Sequence, residues 1–311
     1  VRTLVTGGAG FIGSNLVDAL IAGGHQVAVL DNLTTGRRAN LTGALAAGAV
    51  LHELDVRDRA GVLRLFEQAR PEVVFHLAAQ IDVRRSVTDA AFDAEVNIGG
   101  ALSVLQAALA TGARRVVNTS TGGGLYGDAD VLPTPEDHPI VPVAPYGQSK
   151  LAAEGYCELF TRLHGLSTVS LRYGNVYGPR QDVHGEAGVV AIFCGCLVEG
   201  RRPTVYGDGG QTRDWVEVAD VVRANLLAAE SALTGPVNIG HGQETSVLGF
   251  FEVLSEVGGE QGLRLGDPRF AQARAGEVRR SCLDVSRARA ELGWAPEVEL
   301  ADGLRRILAG L

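Results

Sequence analysis

Thr6-Gly7-Gly8-Ala9-Gly10-Phe11-Ile12-Gly13 follows a short β-branched run, Arg2 to Val5, and opens a stretch, Phe11 to Ala22, with apolar residues at helical spacing. Strand, glycine turn and helix in that order admit few folds. Gly7 allows the tight turn, Gly10 lets backbone approach a pyrophosphate, and Gly13 permits close helix–strand packing. The N–H groups and dipole at the start of such a helix favour a diphosphate. A glycine triplet by itself also makes a plain structural turn. Its place between strand and helix favours a dinucleotide loop, with Phe11 and Ile12 grouped with the cofactor residues.

The first half continues the alternation. Apolar runs lie at Gln26 to Leu30, Ala49 to Leu54, Val73 to Leu77, Arg115 to Thr119 and Ser167 to Arg172. Helical patterns at Gly61 to Ala69, Ala91 to Ala110 and Tyr146 to His164 separate most of them. This predicts an α/β fold, a Rossmann-type doubly wound parallel sheet with helices on both faces. After Tyr173 the pattern loosens into short strands, Pro203 to Tyr206 and Pro236 to Ile239, and helices at Val218 to Ser231 and Val247 to Gly258. The tail from Val285 to Leu311 reads as two helical pieces broken at Pro296. The expected division is residues 1–172 for the dinucleotide and the chemistry, and 173–311 for a smaller substrate lobe, with some chain exchanged between the two. Ligands of open parallel sheets sit beyond the carboxyl ends of the strands, where such a lobe would close.

A chain of 311 residues with 46% hydrophobic and 21% charged residues has the composition of a globular protein. Its net charge of -8 argues against a nucleic-acid surface. Cys157, Cys194, Cys196 and Cys282 lack the paired spacing of a zinc site and are expected as small hydrophobes or free thiols. No metal is expected. No apolar stretch is long enough to span a bilayer, and no basic segment with an apolar run opens the sequence, so the expected address is the cytoplasm, with no membrane partner.

Asp31 ends the second strand, where a carboxylate accepts the ribose hydroxyls of NAD and repels the 2′-phosphate of NADP; Asn32 follows it. Arg37 and Arg38 stand nearby, either to receive such a phosphate or as part of a solvated loop. NAD is the expected cofactor. Asp55-Val56 ends the third strand, at an adenine edge or as a helix cap. Leu77-Ala78-Ala79 ends the fourth with small residues that leave room for the cofactor or pack tightly. Asn97 inside a helical pattern suggests a buried hydrogen-bonding role.

Tyr146-Gly147-Gln148-Ser149-Lys150 places Tyr and Lys at i and i+4 on one helix face. A free phenol has a pKa of about 10. A nearby ammonium and the positive nicotinamide ring both favour the phenolate, which can take a proton from a sugar hydroxyl as NAD takes the hydride. The fifth strand runs into Ser120-Thr121 and then Gly122-Gly123-Gly124, where a hydroxyl can hydrogen-bond the reacting oxygen and the glycines suggest backbone close to a ligand.

With these motifs the chain resembles the extended short-chain dehydrogenase/reductase family over nearly its whole length, and within it the UDP-glucose 4-epimerases and related UDP-sugar enzymes. The resemblance makes Tyr146 and Lys150 the catalytic pair, which also touches the cofactor with Tyr173. It puts the strand-five hydroxyl at Thr121, with Ser120 the other candidate. Arg172 to Arg180 resembles the segment after the sixth strand, which assigns Asn175 to the sugar-nucleotide diphosphate, with Val189 further along that wall. Gly207 to Asp214 resembles the loop whose arginine, Arg213, grips the diphosphate, with Tyr206 beside the uracil. Arg274 to Glu277 resembles a later loop that supplies a second phosphate arginine, Arg274, and an acid for the ribose, Glu277. What this implies is an NAD-dependent 4-epimerase of a UDP-hexose, working through a 4-keto sugar and dimeric through its two long helices.

Two departures bear on the substrate. Gly174 stands where many members carry a bulky residue, which implies an altered sugar pocket. Arg180 and His184 lie in the following loop, either to meet the carboxylate of a uronic acid or as part of a solvated loop, so a UDP-glucuronate 4-epimerase or decarboxylase is the alternative; a non-catalytic NAD-sensing protein is a lesser one, weakened by the intact Tyr146 and Lys150. Gly122-Gly123 stands where dehydratases carry an acidic pair, which argues against 4,6-dehydration.

Overall fold

The computed structural model describes residues 1–182, 188–273 and 278–310. Its strands in chain order are β1 (Arg2–Thr6), β2 (Gln26–Asp31), β3 (Val50–Glu53), β4 (Val73–His76), β5 (Arg115–Thr121), β6 (Ser167–Tyr173), β7 (Asn175–Tyr177), β8 (Thr204–Tyr206), β9 (Thr212–Glu217), β10 (Gly235–Ile239), β11 (Glu244–Ser246) and β12 (Arg269–Ala271). A seven-stranded parallel sheet runs in the order β10-β6-β5-β4-β1-β2-β3. The order reverses direction between β1 and β4, so a crevice opens at the carboxyl ends of those two strands.

The sheet is buried on both faces, which is why its strands read as continuous apolar runs. Leu4 and Val5 are both fully buried and feed cores on opposite faces. One core packs the Phe11–Ala22 and Val218–Glu230 helices with Ala288 and Leu292 of the Ser286–Leu292 helix; the other packs the Arg59–Ala69, Gly100–Thr111 and Pro145–His164 helices. Each fully buried aliphatic side chain contributes about 1.5–3 kcal/mol.

The smaller lobe has its own core, around Phe193, Trp215, Phe250 and Leu304. It contains a three-stranded sheet, β11-β9-β7, and a two-stranded one, β12-β8. The chain does not stay there once it enters: β10 returns to pair with β6, and the Val218–Glu230 helix lies against the Phe11–Ala22 helix.

Two differences from the periodicity have physical causes. The stretch Ala91 to Ala110 is broken into Ala90–Ala94, a π turn at Glu95–Gly99, and Gly100–Thr111. The wide turn carries Asn97 into the interior, and a Cβ at Gly100 would stand 2.7 Å from Val56. The Val189–Val198 helix escapes detection because its ten residues are almost uniformly apolar and show no period.

Candidate active site

The glycine turn is held from below. Thr6 Oγ1 accepts the N–H groups of Leu77 (3.2 Å) and Ala78 (3.1 Å), so its proton goes to His76 Nδ1, 2.8 Å away. This ties the end of β1 to the end of β4. Gly7 has φ +69°, and a Cβ there would lie 2.7 Å from Ala78 N; a Cβ at Gly13 would collide with the Gly7 carbonyl. Leu77, Ala78 and Ala79 thus form the half-buried far wall of the crevice. Gly10 caps the Phe11–Ala22 helix in an extended conformation with no side-chain hydrogen bond, leaving the first-turn N–H groups to a ligand.

Asp31 accepts Ala9 N through Oδ2 (2.9 Å) and Leu33 N through Oδ1 (2.8 Å). Burial raises its pKa, and the two backbone bonds oppose the rise. A Cβ at Gly36 would stand 2.7 Å from the carboxylate. Asn32 Nδ2 donates to Asp55 Oδ2 at 3.0 Å, and Arg57 grips both Asp55 oxygens at 2.9 Å, holding that carboxyl well below its usual range. The cap of the next helix is Asp58, which accepts Gly61 N at 2.9 Å. Val56 is buried against Gly100. Arg37 pairs with Asp182 (3.2 Å) and Arg38 with Glu53 (3.3 Å), so both cations already face carboxylates. Glycine positions that a Cβ would fill, an uncapped helix start and a carboxylate at the end of β2 fit a dinucleotide bearing a free ribose diol.

The reactive groups gather at the end of β5. Pro145 sits in the first turn of the Pro145–His164 helix, whose start places Tyr146 against the strand end. The Thr121 side chain and the Tyr146 ring both border Gly124. Burial pushes the Tyr146 phenol up to about 12, and the Thr121 hydroxyl pulls it back. Lys150, buried one turn on, is pushed down to about 8 by loss of water, against the opposing pull of Glu154, Cys157 and Asp93. Ser120 points to the other side of the strand; its Oγ is buried and has no hydrogen-bond partner among the described residues. Two of the three glycines answer to protein contacts: a Cβ at Gly122 would meet Leu283 at 2.5 Å, and one at Gly124 would meet Thr121 at 2.9 Å and the Tyr146 ring at 3.4 Å.

The model of the NAD dependent epimerase/dehydratase family matches residues 3–240. The chain belongs to that family. It is 47% identical over 308 residues to a UDP-glucose 4-epimerase of Mycolicibacterium smegmatis, covering 98% of this chain and 97% of the relative. A UDP-glucose 4-epimerase of Thermotoga maritima, crystallised with UDP-glucose, superposes with a TM-score of 0.94 at 45% identity, covering 99% of this chain and 98% of that one. The Thermus thermophilus UDP-glucose 4-epimerase in complex with NAD gives 0.91 at 42%, with the same coverage. The cofactor of this epimerase/dehydratase site is NAD.

In this member of the family, Asn175 opens β7 opposite Trp215. Val189 starts a helix capped by Gly188. Tyr206 ends β8 and is exposed. Arg213 lies in β9 opposite Thr245, its Nη1 donating to Thr212 O at 2.8 Å. Arg274, Glu277 and His184 lie outside the described residues. Arg180, at φ +71°, is turned to Asp18 on the cofactor helix, 2.5 Å away. Tyr173 is core: its hydroxyl meets Asn225 (2.7 Å) and Thr119 (3.3 Å), and burial pushes it up to about 12. Gly174 is half-buried. A Cβ there would stand 2.8 Å from Asp214 O, so this glycine lets β9 approach.

Several residues that sequence reading passes over hold this arrangement. Asp214 is fully buried and accepts His241 N (2.5 Å), Leu283 N (3.0 Å) and Gly242 N (3.1 Å), binding two loops to β9. Arg172 grips Glu154 at 2.7–3.2 Å and donates to Tyr126 Oη at 2.8 Å. Tyr126 donates in turn to Asn238 on β10 at 2.9 Å. Neither set has a local signal, since each joins residues 18 or more positions apart.

Proposed function

We propose that this chain is a UDP-hexose 4-epimerase of the UDP-glucose/UDP-galactose type. The observation that carries the reading is the juxtaposition of Thr121 and Tyr146 beside Gly124 at the mouth of the NAD crevice, with Lys150 one helical turn behind. Tyr146 takes the proton of the sugar C4 hydroxyl, and Thr121 steadies the oxygen during the transfer. Bound in its cradle, NAD supplies the acceptance and return of hydride at C4 and a positive ring that favours the phenolate. Lys150 holds the nicotinamide ribose. The glycine turn receives the diphosphate, Asp31 the adenosine ribose, and Asn32, Asp55 and Val56 border the adenine. Asn175, Arg213 and Arg274 anchor the substrate by its diphosphate, with Tyr206 at the uracil, Glu277 at its ribose and Val189 on the wall. An anchor at the unreactive end lets the 4-keto sugar turn over and present its other face.

Against the uronate alternative, its described cation, Arg180, already has Asp18 as a partner. We infer that the protein is a homodimer: Leu109, Tyr156 and Leu163 expose apolar surface on its two long helices. Four unpaired cysteines fit a reducing compartment, the cytoplasm.

The test is proton NMR of the purified protein with UDP-glucose and no added NAD. Appearance of UDP-galactose is the expected result, and Tyr146→Phe is expected to abolish it while retaining NAD. Turnover of UDP-glucuronate alone would move the substrate to the uronates, and full activity in Tyr146→Phe would overturn the reading.

A further inference from the structure

Behind the catalytic pair lies a carboxylate to which none of the foregoing chemistry assigns a role. Asp93 is 1% exposed and sits at the start of the broken helix. Gln80 Nε2 donates to its Oδ1 at 2.8 Å, and Asn97 Nδ2 at 3.2 Å. The same Asn97 nitrogen reaches Ser149 Oγ at 3.0 Å and Gln80 O at 3.0 Å, while Asn97 Oδ1 accepts Gln80 N at 2.8 Å. Ser149 stands between Tyr146 and Lys150 and donates to Tyr146 O at 3.0 Å. One amide, turned inward by the π turn, therefore joins Asp93 to the catalytic helix. Asp93 Oδ2 is buried with no hydrogen-bond partner among the described residues.

We propose that Asp93 is a positioning residue whose carboxylate, fixed by Gln80 and Asn97 behind Tyr146 and Lys150, sets the proton balance of that pair. The reading rests on Tyr146 as the base. A charge held away from water acts strongly on its neighbours. Here its influence has one sign on both: it disfavours the Tyr146 phenolate and favours the Lys150 ammonium. It thereby keeps phenol and ammonium protonated together until the positive cofactor ring counters it. The other titratable and charged groups around this cluster are Glu154 and Cys157 on the catalytic helix, which act on Lys150, and His76 at the end of β4, which burial first and the Lys150 charge second push towards neutrality. Arg85 lies over Phe92 at 3.9 Å, and Glu95 pairs with Arg57. Asp93 is the one among them that acts on both members of the pair.

The test is the pH profile of kcat/KM in the NAD-loaded protein. Asp93→Asn removes the charge and keeps the shape. Both limbs are expected to move to lower pH, by roughly half a unit or more, because both pKa values fall. Asp93→Glu is expected to return them. A loss of activity equal at every pH, with both limbs in place, would reduce Asp93 to a structural role and overturn the proposal. Should Asp93→Asn not fold, Asp93→Ser carries the same expectation. An ultraviolet titration of the Tyr146 phenol, taken as the difference from Tyr146→Phe, reads the shift without turnover. An unshifted phenol overturns the proposal even if the substrate assignment holds, and a shifted one supports it even if that assignment fails.

Discussion

Thr121 and Tyr146 face each other across the gap between a strand end and a helix start, and Gly124 has no side chain because one would fill that gap. The Thr121 hydroxyl is what opposes the effect of burial on the phenol. Thr121→Val removes it with little change of volume. Turnover of UDP-glucose is expected to fall about 10²-fold, the scale of one positioned proton-transfer partner, while Ser120→Ala leaves it within a few-fold. Steady-state kinetics of the two variants side by side decide which hydroxyl works.

His76 gives the fold an acid limit. It is buried against Thr6, and loss of water together with the Lys150 charge pushes its pKa down to about 3 from 6.5. A folded pKa below the unfolded one means the unfolded chain binds the proton first. The stability from neutral His76 is complete above pH 6.5 and is lost as pH falls towards 3. His76→Gln, which keeps an acceptor for Thr6, is expected to flatten the fall in Tm between these limits. An equally steep fall would assign it to other groups.

The Arg172–Glu154 pair is nearly free of solvent, with side chains 4% and 3% exposed. Breaking such a pair strands one charge in the core. Arg172→Met or Glu154→Gln is expected to cost about 3–5 kcal/mol in urea unfolding. The double variant Arg172→Met/Glu154→Leu is expected to recover much of that, since no lone charge remains.

Arg180 is expected to matter little to a hexose. Its pair with Asp18 is partly exposed and worth at most about 1 kcal/mol. Arg180→Ala is expected to leave UDP-glucose turnover within about fivefold. A loss confined to UDP-glucuronate turnover would return the side chain to a sugar carboxylate.

The sequence by itself determined what depends on short spacing. The glycine loop, Asp31 at the end of its strand, and Tyr146 with Lys150 at i and i+4 are fixed by the geometry of one βα unit or one helix, so their order along the chain is their arrangement in space. Asn97 also betrayed itself, as a polar residue in a helical run. The tertiary structure decided what depends on which distant groups meet. Thr121 rather than Ser120 faces Tyr146 because β5 ends at that residue and its side chains alternate. Arg180 turns to a carboxylate 162 positions away, and Gly174 yields to the backbone of β9. Asp214, the Arg172–Glu154 pair and Asp93 have no local signature: a buried charge is defined by the partners that compensate it, and those arrive only when the chain has closed around them.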